Sequence, residues 1–188
     1  MIIINNTQSF FRFYNDDGTQ ATNTAIAAEN TNINPTISSD YSVVLRIKIT
    51  DAGGVGSAAD DWQLQFSKNS GAYTDLTTSS SNAKAFDSST LAEGDATTER
   101  LTVDGTFGAG KVSEDGLVNS VGVSASGTTE LVYTITILNA DVVNGDTFDF
   151  QALYAGTALN YSVTPRITIS KAISISRKRA GVAGALIF

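Results

Sequence analysis

Residues 43–49 read VVLRIKI and residues 131–137 read LVYTITI, and these two stretches decide the fold. In both of them apolar side chains occupy every second position, which predicts an extended strand with one face toward a core and the other toward water. Shorter versions of this alternation recur at residues 11–14, 62–66 and 148–151. β-Branched and aromatic residues dominate these stretches, as is typical of strands. The pattern therefore predicts antiparallel β-structure.

Turn-forming residues separate these strands. Clear examples are NDDG at residues 15–18, DAGG at 51–54 and NGD at 144–146, which tolerate positive φ or cap a turn. Short strands with such turns, and without intervening helices, favour a sandwich. The sequence thus predicts an all-β fold, an antiparallel β-sandwich or jelly-roll-like single domain at residues 1–170, followed by a C-terminal arm at residues 171–188.

Four segments depart from the strand pattern. Residues 79–98 are rich in Ser, Ala and Thr and are predicted to form a long surface loop with room for one short edge strand. Residues 105–116 contain four glycines and are also predicted to be a loop. Short helical turns are expected at residues 22–30, where alanines cluster, and at residues 139–143, although neither is long enough to be stable alone.

The chain contains neither cysteine nor histidine. Disulfides, thiolate metal sites, Ser-His-Asp triads and Cys-His dyads are therefore excluded. A glycosidase that uses two carboxylates is compatible with the composition, but no pair of acidic residues stands out. We therefore expect a protein that is not an enzyme and that has no bound cofactor.

One glycine-rich stretch has the spacing of a phosphate-binding loop. Residues 105–112 read GTFGAGKV, which matches G-x-x-x-x-G-K. The Ser or Thr that would bind Mg²⁺ is replaced by Val112, and no helical pattern follows as such a loop requires. The stretch is therefore interpreted as a glycine-rich loop of a β protein.

Adjacent carboxylates occur at residues 16–17, 60–61 and 114–115. Neighbouring side chains on a strand point to opposite faces, so such pairs rarely converge on one ion, and no calcium-loop motif is present. Turn formation is the favoured role for Asp16 and Asp17. A calcium ion bound at the surface stays an open alternative.

Charge is distributed unevenly along the chain. Residues 1–149 carry all nineteen acidic side chains and a formal charge of −12, whereas residues 150–188 carry +5. An overall charge of −7 argues against nucleic-acid binding. No apolar run approaches the ~20 residues of a membrane helix, and residues 1–7 lack the pattern of an export signal. The asymmetry predicts an acidic body and a basic arm with different partners.

The predicted arm combines alternating, basic and apolar segments. Its expected partner-binding residues are Lys171, Ile173, Ile175, Arg177, Lys178, Arg179, Leu186, Ile187 and Phe188. Exposed to water, the apolar side chains would each forgo ~1.5–3 kcal/mol of burial, which favours docking on a neighbouring subunit, by strand addition or by filling a groove. Alternatively, these residues form the last strands of the same sandwich, or a disordered end.

A resemblance covers residues 8–169 and leaves the arm out. The segments that carry it are residues 11–18 (FRFYNDDG), 27–31 (AAENT), 45–47 (LRI), 62–66 (WQLQF), 69–73 (NSGAY), 96–101 (ATTERL), 129–133 (TELVY) and 164–169 (TPRITI). With these segments the chain resembles uncharacterised virion proteins of tailed phages. The resemblance implies a β-sandwich that decorates the capsid or belongs to a tail appendage, on the exterior of a virion assembled in the host cytoplasm. It also implies other virion proteins, capsid or tail subunits, as partners, and a homo-oligomer is expected. The matching segments carry no active site.

Two other functions compete with this structural role. A glycan-binding receptor or adhesin domain would use acidic loops and exposed tyrosines, with Tyr14, Tyr41, Tyr73 and Tyr154 as candidates to stack on host sugars. Burial within half-covered strands is the commoner fate of such side chains, and Trp62 is expected in the core. The second rival is an enzyme that acts on a polysaccharide.

Overall fold

The structure is a computed structural model that describes residues 5–172. Within this range the chain forms fifteen strands and one short 3-10 helix, at Asn139–Asp141. The strands are β1 (Asn6–Tyr14), β2 (Thr36–Ile37), β3 (Tyr41–Asp51), β4 (Ser57–Lys68), β5 (Thr74–Asp75), β6 (Ala83–Lys84), β7 (Thr106–Gly108), β8 (Val112–Ser113), β9 (Leu117–Val123), β10 (Gly127–Ile137), β11 (Thr147–Tyr154), β12 (Thr157–Ala158), β13 (Asn160–Tyr161), β14 (Arg166–Thr168) and β15 (Ser170–Lys171).

The strands form two large sheets and one small one. Sheet A has the order β13-β1-β3-β10-β6, with β7 and β8 also paired to β10. Sheet B has the order β12-β11-β4-β5, with β14 paired to β11 and β9 paired to β4. The long central strands of both sheets pair antiparallel. A third sheet consists of β15 and β2 in parallel.

The apolar faces of sheets A and B meet in one core. In sheet A, Phe13, Leu45 and Tyr133 lie in register across three strands and are completely buried. Phe150 of sheet B contacts Phe13 edge to face, with ring centroids 6.5 Å apart. The Tyr133 hydroxyl donates a hydrogen bond of 3.1 Å to the Trp62 carbonyl oxygen of sheet B. The predicted all-β sandwich is therefore confirmed, as is the core position of Trp62.

The opposite face of sheet A is covered as well, which the alternation did not predict. Residues 86–104, named here the covering loop, lie over it and bury a second apolar cluster of Tyr14, Val44, Leu91, Val112 and Val132. The predicted edge strand is present as β6, paired to the end of β10. The expectation that residues 79–98 lie simply on the surface is wrong, because Leu91 and Thr97 are buried against the sheet.

Two further expectations need correction. Residues 105–116 are not only a loop, because β7 and β8 within them extend the edge of β10 in parallel. Residues 22–30 form no helix, since their backbone groups bond to β1 instead: Ile26 N–H donates to the Phe13 carbonyl and Asn30 N–H to the Phe11 carbonyl. The helical turn expected at residues 139–143 is present in part as the 3-10 helix. Across residues 5–172, no helix has the length and apolar character needed to cross a membrane.

Candidate functional site

Lys171, the first residue of the predicted arm, is held at one end of the sandwich. This end, named here the Lys171 end, contains β15, β2, Asn139 and Asn144. The Lys171 ammonium donates to the carbonyl oxygen and, at 2.7 Å, to the side-chain oxygen of Asn139. Its backbone N–H donates to Asn144 Oδ1 at 3.0 Å, and the Ala172 N–H donates to the Ile37 carbonyl at 3.1 Å. The last described residues are thus held at a defined place in the sandwich.

The boundary predicted between body and arm, between residues 170 and 171, falls inside β15. In this strand Ser170 and Lys171 pair with Thr36 and Ile37. Lys171 is accordingly bound within the domain. The other predicted partner-binding residues, from Ile173 to Phe188, lie outside the described residues.

Short strands cover both edges of the long strands. In sheet A, the outer edge of β1 is occupied by β13 and by residues 25–30, and that of β10 by β6, β7 and β8. In sheet B, β12 and β14 cover β11, while β5 and β9 cover β4. Short edge strands limit the addition of a further strand from another molecule. The long strands of the sandwich are therefore poor templates for edge-to-edge association.

A buried ion pair fastens the covering loop to sheet A. The Arg46 guanidinium and the Glu130 carboxylate are 2.6 Å apart and at most 1% exposed. Glu130 also accepts hydrogen bonds from the backbone N–H groups of Arg100 and, at 2.8 Å, Leu101 in the loop. Arg46 donates to the Thr98 carbonyl at 2.7 Å. Both charges are thus used to hold the loop in place.

A second buried cation joins the same two elements. Lys48 lies 2.8 Å from an Asp104 carboxylate oxygen and 3.1 Å from one of Glu99. Burial alone would lower the pKa of Lys48, but the hydrogen bonds and negative charges of Asp104 and Glu99 outweigh it and raise that pKa. Lys48 therefore stays charged, and its role here is structural.

The adjacent carboxylates noted in the sequence accept hydrogen bonds from other groups of the protein. Asp17 accepts the Thr24 N–H at 2.8 Å, and Asp16 accepts hydrogen bonds from the hydroxyls of Ser88 and Thr90. The expected turn role is thus confirmed for Asp17, whereas Asp16 contacts the covering loop. Asp61 accepts the Ser120 N–H at 3.1 Å.

Glu114 belongs to a small group of hydrogen-bonded acids. Its carboxylate accepts the Glu93 N–H, and the Glu93 carboxylate accepts the Glu114 N–H. Burial, with the nearby charges of Asp115 and Glu114, raises the pKa of Glu93. Residues 5–172 contain no group of three or more His, Cys, Asp or Glu side chains placed to hold a metal ion.

The glycine-rich stretch serves strand packing. A Cβ atom at Gly110 would overlap the Glu130 carbonyl oxygen, so that glycine is what allows this edge to approach β10. Lys111 donates to the Asn119 carbonyl at 2.8 Å. Both observations agree with the rejection of a phosphate-binding loop.

Of the four candidate tyrosines, only Tyr73 is exposed, at 39%. Tyr14 is buried with the Arg100 guanidinium 4.6 Å from its ring centroid. Tyr41 is half-buried, and Tyr154 is 8% exposed with its hydroxyl donating to the Ala58 carbonyl at 2.9 Å. These positions do not form a shared aromatic platform for a sugar.

The opposite end of the sandwich, named here the Asp51 end, contains a cavity that the sequence did not reveal. Along β3 the two ends are about 33 Å apart, from ten steps of ~3.3 Å each. The cavity is about 320 Å³ and is lined by Asn6, Tyr154, Thr157, Leu159 and Asn160, among others. Asn6 is 4% exposed, and neither polar atom of its amide has a hydrogen-bond partner among residues 5–172.

The Asp51 carboxylate organises two turns beside this cavity. It accepts backbone N–H groups from Gly53, Gly56 and Ser126 at 2.8–3.1 Å. Burial alone would raise the pKa of Asp51, but these hydrogen bonds outweigh it and lower that pKa. The β3–β4 and β9–β10 turns are thereby tied together.

The fold and these contacts define the chain as an all-β sandwich whose described charged groups mostly support the structure. No family model matches the chain, and no curated protein matches it.

Proposed function

We propose that this protein is a structural subunit of a tailed-phage virion, located on the exterior of the capsid or of a tail appendage. In this proposal the residues after Ala172 bind a neighbouring copy of the protein. Other capsid or tail proteins are the further partners that such a role implies. The phage assignment is supported by the resemblance over residues 8–169.

The observation that carries the proposal is the anchoring of the chain at Lys171, next to the last described residue. Hydrogen bonds to Asn139 and Asn144 hold this residue, and the Ala172 N–H is bonded to Ile37. Residues that follow such an anchored point start from a defined place and direction, which lowers the entropy lost when they bind a neighbour.

The covered edges of the sandwich support the same role. Because short strands occupy both sides of the long strands, the body offers little template for strand addition. Association then requires a separate element, and the sequence after Ala172 has suitable chemistry. Ile173 and Ile175 supply apolar side chains, residues 177–179 supply three positive charges, and residues 186–188 supply a further apolar cluster.

Charge also favours a copy of this chain as the neighbour. Residues 1–149 carry a formal charge of −12, so the body attracts a basic segment. Such attraction is screened by salt over a Debye length of ~10 Å at 0.1 M ionic strength. Burial of the apolar residues should persist at high salt, since it does not depend on charge.

A labelled peptide tests this proposal directly. A fluorescent peptide of residues 173–188 is titrated with a variant chain that ends at Ala172, and its anisotropy is measured. The expected result is saturable binding that weakens between low and high salt. The control is a peptide of the same composition in scrambled order, which should bind at least tenfold more weakly. Equal binding of both peptides, or none, would contradict the proposal.

The rival functions gain less support from the contacts. A receptor that uses acidic loops needs carboxylates directed to a ligand, but Asp17 and Asp51 accept backbone N–H groups of nearby turns. A polysaccharide-cleaving enzyme needs two carboxylates directed to its substrate, but Glu114 and Glu93 each accept a hydrogen bond from the other's backbone N–H.

A further inference from the structure

Unpaired polar atoms are concentrated inside the sandwich at the Asp51 end. Gln8 and Thr129 are in register with Ile49, a core residue, and in-register neighbours lie on the same face of a sheet. The Gln8 side-chain oxygen and the Thr129 hydroxyl are buried and have no hydrogen-bond partner. Asn6, two residues before Gln8, has both amide atoms buried and unpaired. The core is therefore polar toward this end.

The cavity lies where this polar region reaches the surface. Asn6 from sheet A and Tyr154 from sheet B both line it, so it opens between the two layers. Buried polar groups in proteins nearly always have partners, and an exception requires an explanation such as bound water or a ligand. Its volume of about 320 Å³ lies at the lower end of the range for small-molecule pockets, ~300–1,000 Å³. The site therefore fits a ligand of the size of a single ring.

The lining restricts the chemistry of that ligand. None of the described lining residues is charged, which favours a neutral ligand. The amide of Asn6 and the hydroxyl of Thr157 can both donate and accept hydrogen bonds, whereas Asn160 donates through Nδ2 to Asn5 Oδ1 at 2.9 Å and has its own Oδ1 as an acceptor. Hydroxyl groups, which also donate and accept, match this set. The Tyr154 ring and Leu159 supply apolar surface. A pyranose combines a rim of hydroxyls with an apolar C–H face.

We propose that the cavity between Asn6 and Tyr154 is a binding site for a neutral pyranose. The site lies at the opposite end of the sandwich from Ala172, the last described residue. An anionic sugar should bind poorly, since the described lining residues include no cation. The inference thus goes beyond the structural role proposed above and does not rest on it.

Nuclear magnetic resonance of the full chain tests the site. Amide spectra are recorded while methyl glycosides of glucose, galactose, mannose and N-acetylglucosamine are added separately, with N-acetylneuraminic acid as the anionic comparison. The expected result is that at least one neutral sugar shifts the amide signals of Asn6 and of residues 154–160 saturably. The anionic sugar should leave these signals unchanged. If no neutral sugar shifts these amide signals, the proposal is overturned and water is left as the occupant of the cavity.

Two variants separate binding from folding. Asn6→Ala should lower the affinity for the sugar by about tenfold, the equivalent of one hydrogen bond. The melting temperature should stay the same or rise, because the variant removes an unpaired buried amide. Thr157→Val, at an exposed position of the β11–β12 hairpin, should weaken binding without loss of folding. Asn32→Ala, away from the cavity, is the amide control and should bind as the unmodified chain does. Unchanged affinity in both Asn6→Ala and Thr157→Val would place any binding elsewhere and overturn the site.

Discussion

Replacing Glu130 by glutamine should lower the free energy of unfolding, because it breaks the buried ion pair that holds the covering loop on sheet A. Glu130 is completely buried, and its only charged partner among the described contacts is Arg46, 2.6 Å away and 1% exposed. Glu130→Gln keeps an oxygen that can accept the Leu101 N–H, but it leaves Arg46 as a buried charge without a counter-ion. Breaking a buried pair in this way typically costs ~3–5 kcal/mol. That is a large share of the ~5–15 kcal/mol that stabilises a typical domain.

Urea unfolding, followed by tryptophan fluorescence and circular dichroism, measures this cost. The midpoint should fall while the slope of free energy against urea concentration stays constant. For a domain of this size the melting temperature should fall by roughly 6–20 °C. Asp87→Asn is the matched control, because Asp87 is exposed, and it should change the stability by less than ~0.5 kcal/mol.

A double variant distinguishes the charge from the hydrogen bonds. Arg46→Met together with Glu130→Gln removes the unpaired charge and retains an acceptor for Leu101, so it should recover most of the stability that Glu130→Gln alone loses. If Glu130→Gln behaves like the Asp87 control, the ion pair does not hold the loop. If the double variant is less stable than the single one by several kcal/mol, the reasoning from buried charge is wrong.

Other positions give further predictions. Gly110→Ala should cost ~1–3 kcal/mol in thermal or urea unfolding because its Cβ would overlap the Glu130 carbonyl, whereas Gly108→Ala, with its nearest contact at 3.8 Å, should cost less than ~1 kcal/mol. Equal effects of the two would refute the packing role of Gly110. Asp51→Asn should cost ~1.5–3 kcal/mol at pH 7, because a charged acceptor is lost. Since the pKa of Asp51 is lowered from its ordinary 3.8, its contribution is complete above that pH and disappears as the pH falls through the folded-state pKa. The difference between Asp51→Asn and the unmodified chain should therefore shrink below about pH 4 in unfolding measured against pH, and a difference that grows there would contradict the sign.

The sandwich was predictable because its signal is local. Alternation along β3 and β10 identified the strands, and Trp62 was correctly assigned to the core since it alternates with Leu64 and Phe66. Such patterns report which residues share a face without needing to know which strands are neighbours. The turn role of Asp17 was recognisable for the same reason, because it depends on the next few residues.

The covering loop was missed because its burial depends on tertiary contacts. Arg46 and Lys48 occupy the polar positions of an alternating strand, which ordinarily face water. Glu130 lies more than eighty residues away, and pairing it with Arg46 requires the register of β3 and β10. The Ser- and Thr-rich composition of the covering loop gave no indication that it would be packed. Asn6 was missed for the same reason, since the cavity is formed by Tyr154 and the hairpin after it.

Light scattering of the full chain and of a chain that ends at Ala172 shows whether the residues after Ala172 cause association. Both chains are measured over the same range of concentrations at low and high salt. The full chain should have a mass that is a multiple of 19.7 kDa, greater than that of one chain, whereas the shortened chain should be folded and monomeric. A full chain that stays monomeric, or a shortened chain that associates equally well, would contradict the proposed role of these residues.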